Sequence, residues 1–234
     1  MAISMRLDKF LADLQFGTRN EVKTLIKKGR VQIDDQIIKK AGFNVDENTI
    51  VYVDDVPIQY VRYEYYLLNK PAGYLSATED NFQPVVMELV NSKRKDLAPV
   101  GRLDKDTEGV LLITNDGQLA HQLLAPKNKI EKTYFVRFEG TLPADAVETM
   151  ATPMKFKEFT SSPAVLEPID ESSAYLTIHE GKFHQVKRMF ERLGTPVTYL
   201  ERVKFDILTL DHLQRGECRP LNQKEIDQLK SRNQ

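Results

Sequence analysis

The sequence predicts an α+β protein: a small N-terminal module of two helices and a short hairpin-like sheet, then a larger domain on a mixed, mostly antiparallel sheet. Three observations point there. The 234 residues are long for one average domain and suit a small module plus a larger one. Short runs with strand-like patterning recur through the second half, among them Thr133–Phe138 and Ala174–His179. Between them lie only intermittent helical segments, which favours strands and helices mixed along the chain over a repeating βαβ pattern.

The elements follow in order. Residues 1–55 form the module, 56–62 a linker marked by Pro57, and 63–234 the larger domain. Within the module, Thr18-Arg-Asn-Glu21 reads as a capping box that starts a helix, Val22, Leu25 and Ile26 give it an apolar side, and Gly29 stops it. Arg19, Lys23 and Lys27 recur every four residues and share a face, with Lys28 and Arg30 close by, against one acid, Glu21. In the larger domain, Tyr65–Asn69 reads as a strand entering the turn Lys70-Pro71-Ala72-Gly73, and Gly109–Thr114 as another strand. Asn115-Asp116-Gly117 supplies a turn before a short helix over Leu119–Leu124. Val186, Met189, Phe190 and Leu193 lie at helical spacing, with Gly194 as the stop.

Composition narrows the class. Hydrophobic residues at 41% and charged residues at 29% are a globular balance. The single cysteine, Cys218, excludes an intramolecular disulfide and a cysteine-rich zinc site. Arg6, Asp8, Lys9 and Asp13 interrupt the first apolar residues before any signal-peptide core could form, and no apolar run reaches membrane-spanning length. A cytoplasmic, monomeric protein without membrane contact is expected. With a net charge of −1, a nucleic-acid partner would have to be held by local basic patches. His121, His179, His184 and His212 are scattered without metal-ligand spacing, and no nucleophile triad is evident.

The densest signal is Gly101–Gly117, GRLDKDTEGVLLITNDG, with Asp104, Asp106 and Glu108 on alternate residues before an apolar run. Its DKDTEG opens like a calcium loop. Such a loop needs a bidentate glutamate at its twelfth position, which here is Asn115 in a strand-like run, so calcium is set aside. On an extended segment the three acids would face the same way, as a two-carboxylate hydrolase would want.

The same residues resemble the active-site motif of the ribosomal small- and large-subunit branch of pseudouridine synthases, G-R-L-D-x-D-T-x-G-L-L-L-x-T-N-D-G. The resemblance implies that Asp104 is the required catalytic group. Three further segments are similar to that family's motifs: Asn69-Lys70-Pro71-Ala72-Gly73, a turn shaping the cleft floor; Glu131-Lys132-Thr133-Tyr134, whose Tyr134 would face the target base; and Glu180-Gly-Lys-Phe-His-Gln-Val-Lys-Arg-Met189. In the last, Lys187 would reach Asp104, and Lys182, His184, Gln185 and Arg188 would contact RNA. Lys182 stands where the family more often has arginine, and a lysine has no fork for a bidentate contact. Arg102 would insert into the RNA where the target base has left. Residues from Met5 to Asp55 resemble the S4 RNA-binding domain, which implies that Arg19, Lys23, Lys27, Lys28 and Arg30 lie on structured RNA and position it through phosphates.

Pseudouridine formation breaks a glycosidic bond, turns the base and rejoins it through carbon, so it gains no atoms and changes no redox state. It needs one carboxylate and a dry pocket, and neither cofactor nor metal. HQVKRM points to 16S small-subunit rRNA, free or within a partly assembled subunit, where large-subunit relatives tend towards R-x-V-R-R-M. The alternatives are a large-subunit enzyme of the same branch, a non-catalytic S4-type RNA-binding protein, and a metal-dependent hydrolase.

Overall fold

The protein is seen in a computed structural model that describes residues 4–46, 48–58 and 61–231. The chain divides into two units: one runs to Glu64 and includes Ser92–Asp96, the other comprises Tyr65–Asn91 and the chain from Leu97 onward.

The first unit contains β1 (Met5–Arg6), α1 (Leu7–Asp13), α2 (Arg19–Lys27), β2 (Val31–Ile33), β3 (Gln36–Ile37), β4 (Asn44–Val45), β5 (Val51–Val53) and β6 (Val56–Ile58). β1 pairs with β4, and the other strands form a sheet in the order β3-β2-β5-β6. α2 starts where the capping box requires: Thr18 Oγ1 accepts from Glu21 N at 3.3 Å, and Glu21 Oε2 accepts from Thr18 N at 2.7 Å. Leu7, Phe10 and Leu11 of α1 and Val22 and Ile26 of α2 cluster with Val31 and Val51 of the sheet as this unit's core.

The expected linker at 56–62 is corrected at its start. Val56–Ile58 is the fourth strand of the sheet, paired with β5 in the register Val53↔Val56. Asp54 and Asp55 occupy positive φ, 49° and 65°, and so make a two-residue hairpin turn whose twist suits the flanking strands. Asp34 and Asp35 do the same between β2 and β3, at 48° and 62°. Pro57 is tolerated because β6 is an edge strand. Residues 59 and 60 of the expected linker lie outside the described residues.

The second unit contains β7 (Tyr65–Lys70), β8 (Ala98–Pro99), β9 (Glu108–Thr114), α3 (Gly117–Leu124), β10 (Lys132–Phe138), α4 (Ala146–Met150), β11 (Val165–Pro168), β12 (Ser173–Ile178), α5 (Gln185–Arg192), β13 (Val197–Phe205), β14 (Leu208–Thr209), β15 (Cys218–Pro220) and α6 (Gln223–Ser231). Its sheet runs β11-β12-β10-β13-β9-β7-β15, with β14 on β13 and β8 on β9. Neighbours are antiparallel except β9 and β13, which are parallel. β9 is apolar and buried through Val110–Ile113, as a central strand must be, while β10 alternates, with Lys132, Tyr134, Val136 and Phe138 turned inward. Leu68, Leu111, Ile113, Val136, Phe138, Leu176, Met189 and Phe190 form the core. Gly109 is required where β9 meets β13: its φ is 104°, and a Cβ there would collide with the Arg202 carbonyl. Among the described residues no helix is long and apolar enough to cross a membrane.

Candidate active site

Asp104 sits in the loop between β8 and β9, and that loop is gripped from beneath. Lys70, the last residue of β7, is completely buried. Its ammonium donates to the carbonyls of Pro71 (3.0 Å), Asp104 (3.1 Å), Lys105 (3.2 Å) and Thr107 (2.8 Å). Burial pushes its pKa down to about 8, against the opposing pull of Asp106, Glu108 and Asp104. Gly73 N donates to Lys105 O at 2.8 Å. Ser76 Oγ holds Leu103 from both sides, accepting from its N at 3.1 Å and donating to its O at 2.9 Å. The NKPAG turn therefore fastens the Asp104 loop, a role that its reading as a cleft-shaping turn did not include.

The three alternating acids do not all share a face. Thr107 N donates to Asp104 O at 3.0 Å, which turns the chain; Asp104 and Asp106 both meet Lys187, while Glu108 turns to Tyr199 and Arg215. Glu108 accepts from the Tyr199 hydroxyl at 2.7 Å and pairs with Arg215 at 3.0 Å. Asp106 pairs with Lys187 at 2.6 and 2.9 Å. Burial pushes the Asp106 carboxyl up, but the hydrogen bond and charge of Lys187 outweigh this and hold it below the ordinary carboxylate range. Asp104 faces the same lysine, with Nζ 3.3 Å from Oδ2, and His184 Nε2 lies 3.6 Å from Oδ1. Lys187 thus meets Asp104 as expected, yet it also serves Asp106, at the shorter distance.

Asp104 and Tyr134 line one cavity of about 570 Å³, together with Arg102, Lys132, His184 and Arg202. That is room for a nucleoside. Tyr134 is buried, opposite Leu176 of β12 and Arg202 of β13. Lys132 is buried beside it, its pKa pushed down to about 8 by burial and by the neighbouring Arg202. Arg202 donates from Nε to Val110 O at 2.8 Å, and its guanidinium lies 4.9 Å from the Phe205 ring centre. Sequence reasoning missed both cations as cavity residues. Lys132 was visible inside EKTY, whereas Arg202 belongs to a strand whose charges hid it.

The expected RNA-facing residues divide. Arg102 and Lys182 are exposed and border the cavity. Arg188 pairs with Glu158 at 2.7 Å. Gln185 is corrected: it is buried, its amide oxygen accepting from Lys182 N at 3.0 Å and its amide nitrogen donating to Glu180 at 2.8 Å, so it braces the loop before α5. In the first unit Arg19, Lys27 and Lys28 are exposed and Lys23 is half-buried, while Arg30 is already held by Asp54 on both carboxylate oxygens. Among the described residues no group of three or more His, Cys, Asp or Glu is placed to hold a metal.

The sequence profile of the RNA pseudouridylate synthase family matches residues 64–192, and that of the S4 domain matches residues 5–51. A Bacillus subtilis (strain 168) protein named "Uncharacterized RNA pseudouridine synthase YtzG" is 42% identical over 96% of this chain and 98% of its own. "Ribosomal small subunit pseudouridine synthase A" of Vibrio cholerae is 41% identical over 95% and 98%, and its namesake in Escherichia coli (strain K12) 39% over 95% and 98%. A solved structure described as "Crystal structure of pseudouridylate synthase" superposes with a TM-score of 0.68 at 34% identity, covering 96% of this chain and 99% of that one.

Proposed function

The chain belongs to the RNA pseudouridylate synthase family, and on that premise we propose that it converts one uridine of 16S rRNA to pseudouridine, with Asp104 as its only catalytic carboxylate. The observation that carries this reading is the placement of Asp104: in a nucleoside-sized cavity with Tyr134, with the Lys187 ammonium 3.3 Å away. Asp106 and Glu108, the other candidates, are engaged by Lys187 and by Tyr199 and Arg215 respectively. The small-subunit substrate is supported by the HQVKRM segment and by the names of the relatives.

A stacked uridine must leave its neighbours before its glycosidic bond can be reached, at a cost of a few kcal/mol. Arg102, exposed at the cavity edge, enters the vacated space and meets phosphate. Tyr134 stacks on the extruded uracil, a contact worth roughly 1–3 kcal/mol on single-stranded sites. The buried walls retain the detached base while it turns and rejoins the sugar through carbon. Lys187 supplies the cation beside Asp104, and the basic stripe of α2 holds the surrounding RNA by its phosphates.

Purified protein is to be incubated with 16S and 23S transcripts, free and partly assembled, and pseudouridine mapped at nucleotide resolution. One modified position in 16S RNA is expected, with Asp104→Asn below about a hundredth of wild-type rate, since acid–base help alone is usually worth 10²–10⁴-fold. Modification confined to 23S RNA, or an active Asp104→Asn, would overturn the reading.

A further inference from the structure

Phe183 is 69% exposed although it stands on the wall of the catalytic cavity. Its ring stacks on His184, with centres 3.8 Å apart and planes 19° from parallel, and His184 in turn lies 3.6 Å from Asp104. The arrangement is held rigidly. His184 takes a left-handed φ of 51° at the N-terminus of α5, and Gln185 ties the preceding loop to Glu180 and Lys182. The Arg188 guanidinium lies 5.6 Å from the ring centre, and Lys182 precedes it in the chain.

We propose that Phe183 is a stacking site for an unpaired base next to the target uridine, an inference that rests on the RNA reading of this cavity. A single aromatic ring among Gly181, Lys182, His184 and Arg188 is a poor protein-docking patch, because it offers no continuous apolar area. It suits a nucleotide: the ring takes the base face, and the exposed Lys182 beside it takes an adjoining phosphate. The target uracil enters beside Asp104 and Tyr134, and His184 separates that position from Phe183 by one ring. The adjacent base then extends the His184–Phe183 stack outward and fixes which nucleotide step is presented to Asp104. The site selects unpaired neighbours, since a base still in a duplex has no free face.

The test uses the full chain carrying Asp104→Asn, which prevents turnover, and an rRNA stem–loop containing the uridine found by mapping. Each neighbour of that uridine is replaced in turn by 2-aminopurine, whose fluorescence is quenched on stacking. Quenching is expected at one neighbour on binding. It should be kept with Phe183→Trp and lost with Phe183→Leu, which retains bulk and removes the π face. Affinity should fall roughly 5- to 150-fold in Phe183→Leu, the span of one base–aromatic stack. An abasic site at that neighbour should weaken binding by the parent protein and leave Phe183→Leu indifferent. Equal quenching and equal affinity in Phe183→Leu would overturn the stacking site. Failure to find any modified uridine would instead strike the pseudouridine reading, so the two failures are distinct.

Discussion

Replacing Lys70 by methionine tests the claim that a buried ammonium holds the Asp104 loop. The substitution keeps the unbranched stem and removes three donors that serve carbonyls of Pro71, Asp104, Lys105 and Thr107 at 2.8–3.2 Å. Three lost bonds at about 1 kcal/mol each, partly offset by no longer burying a cation, give a net loss of about 1–3 kcal/mol. For a unit of this size that lowers Tm by about 2–4 °C per kcal/mol. Activity should suffer more, because a displacement near 1 Å at reacting groups can cost about 10²-fold. The assay pairs thermal unfolding with the initial rate of pseudouridine formation. A Lys70→Met protein with wild-type Tm and wild-type rate would refute the reasoning.

The pH dependence follows from the same residue. With its pKa at about 8, Lys70 loses its proton as pH rises through that value, a donor disappears, and the loop loosens. Activity should therefore fall with an inflection near pH 8. Loss of stability through this group is not the cause. The folded pKa lies below the ordinary 10.5, so between about 8 and 10.5 the unfolded chain binds the additional proton, and this group's contribution to stability rises with pH. Lys132, also at about 8, would account for any inflection that survives in Lys70→Met.

Lys187→Met should lower the rate by about 10²-fold and release Asp106 towards a higher pKa, readable by NMR titration, whereas Lys187→Arg should retain much of the activity because the charge persists. An unchanged rate and an unmoved Asp106 titration would show that Lys187 is not the shared cation. Changing Arg19, Lys23, Lys27 and Lys28 together to glutamine should weaken rRNA binding and make the log–log salt slope shallower by roughly 0.7–0.9 per lost phosphate contact. An unaltered slope would make the stripe a solvated surface.

Local rules made several elements legible. The Thr18–Glu21 capping box starts α2, Gly194 at a φ of 78° follows α5, and the apolar run after Glu108 is a buried central strand. Asp104, Tyr134 and Lys187 stood out because long motifs carried them. What stayed hidden was long-range. β13 lies at the centre of the sheet, but Glu201, Arg202 and Lys204 break its apolar alternation, and only pairing with β10 and β9 shows that Arg202 is buried. The hairpin turn at Asp54-Asp55, which makes the start of the expected linker a strand, was hidden because paired acids do not announce a turn at positive φ. Gln185 looked free to reach RNA, since its burial depends on Glu180 curling back towards it. Lys70 gave no sign of its role, because the loop carbonyls it holds are 34–37 residues away and a carbonyl leaves no mark in a sequence.

The most direct measurement is a map of pseudouridine in the rRNA of cells lacking this protein, complemented with the wild-type chain or with Asp104→Asn. One 16S position should lose its modification, regain it with the wild-type chain and stay unmodified with Asp104→Asn. Restoration by Asp104→Asn would contradict the single-carboxylate mechanism, and a lost position in 23S rRNA would contradict the assigned substrate.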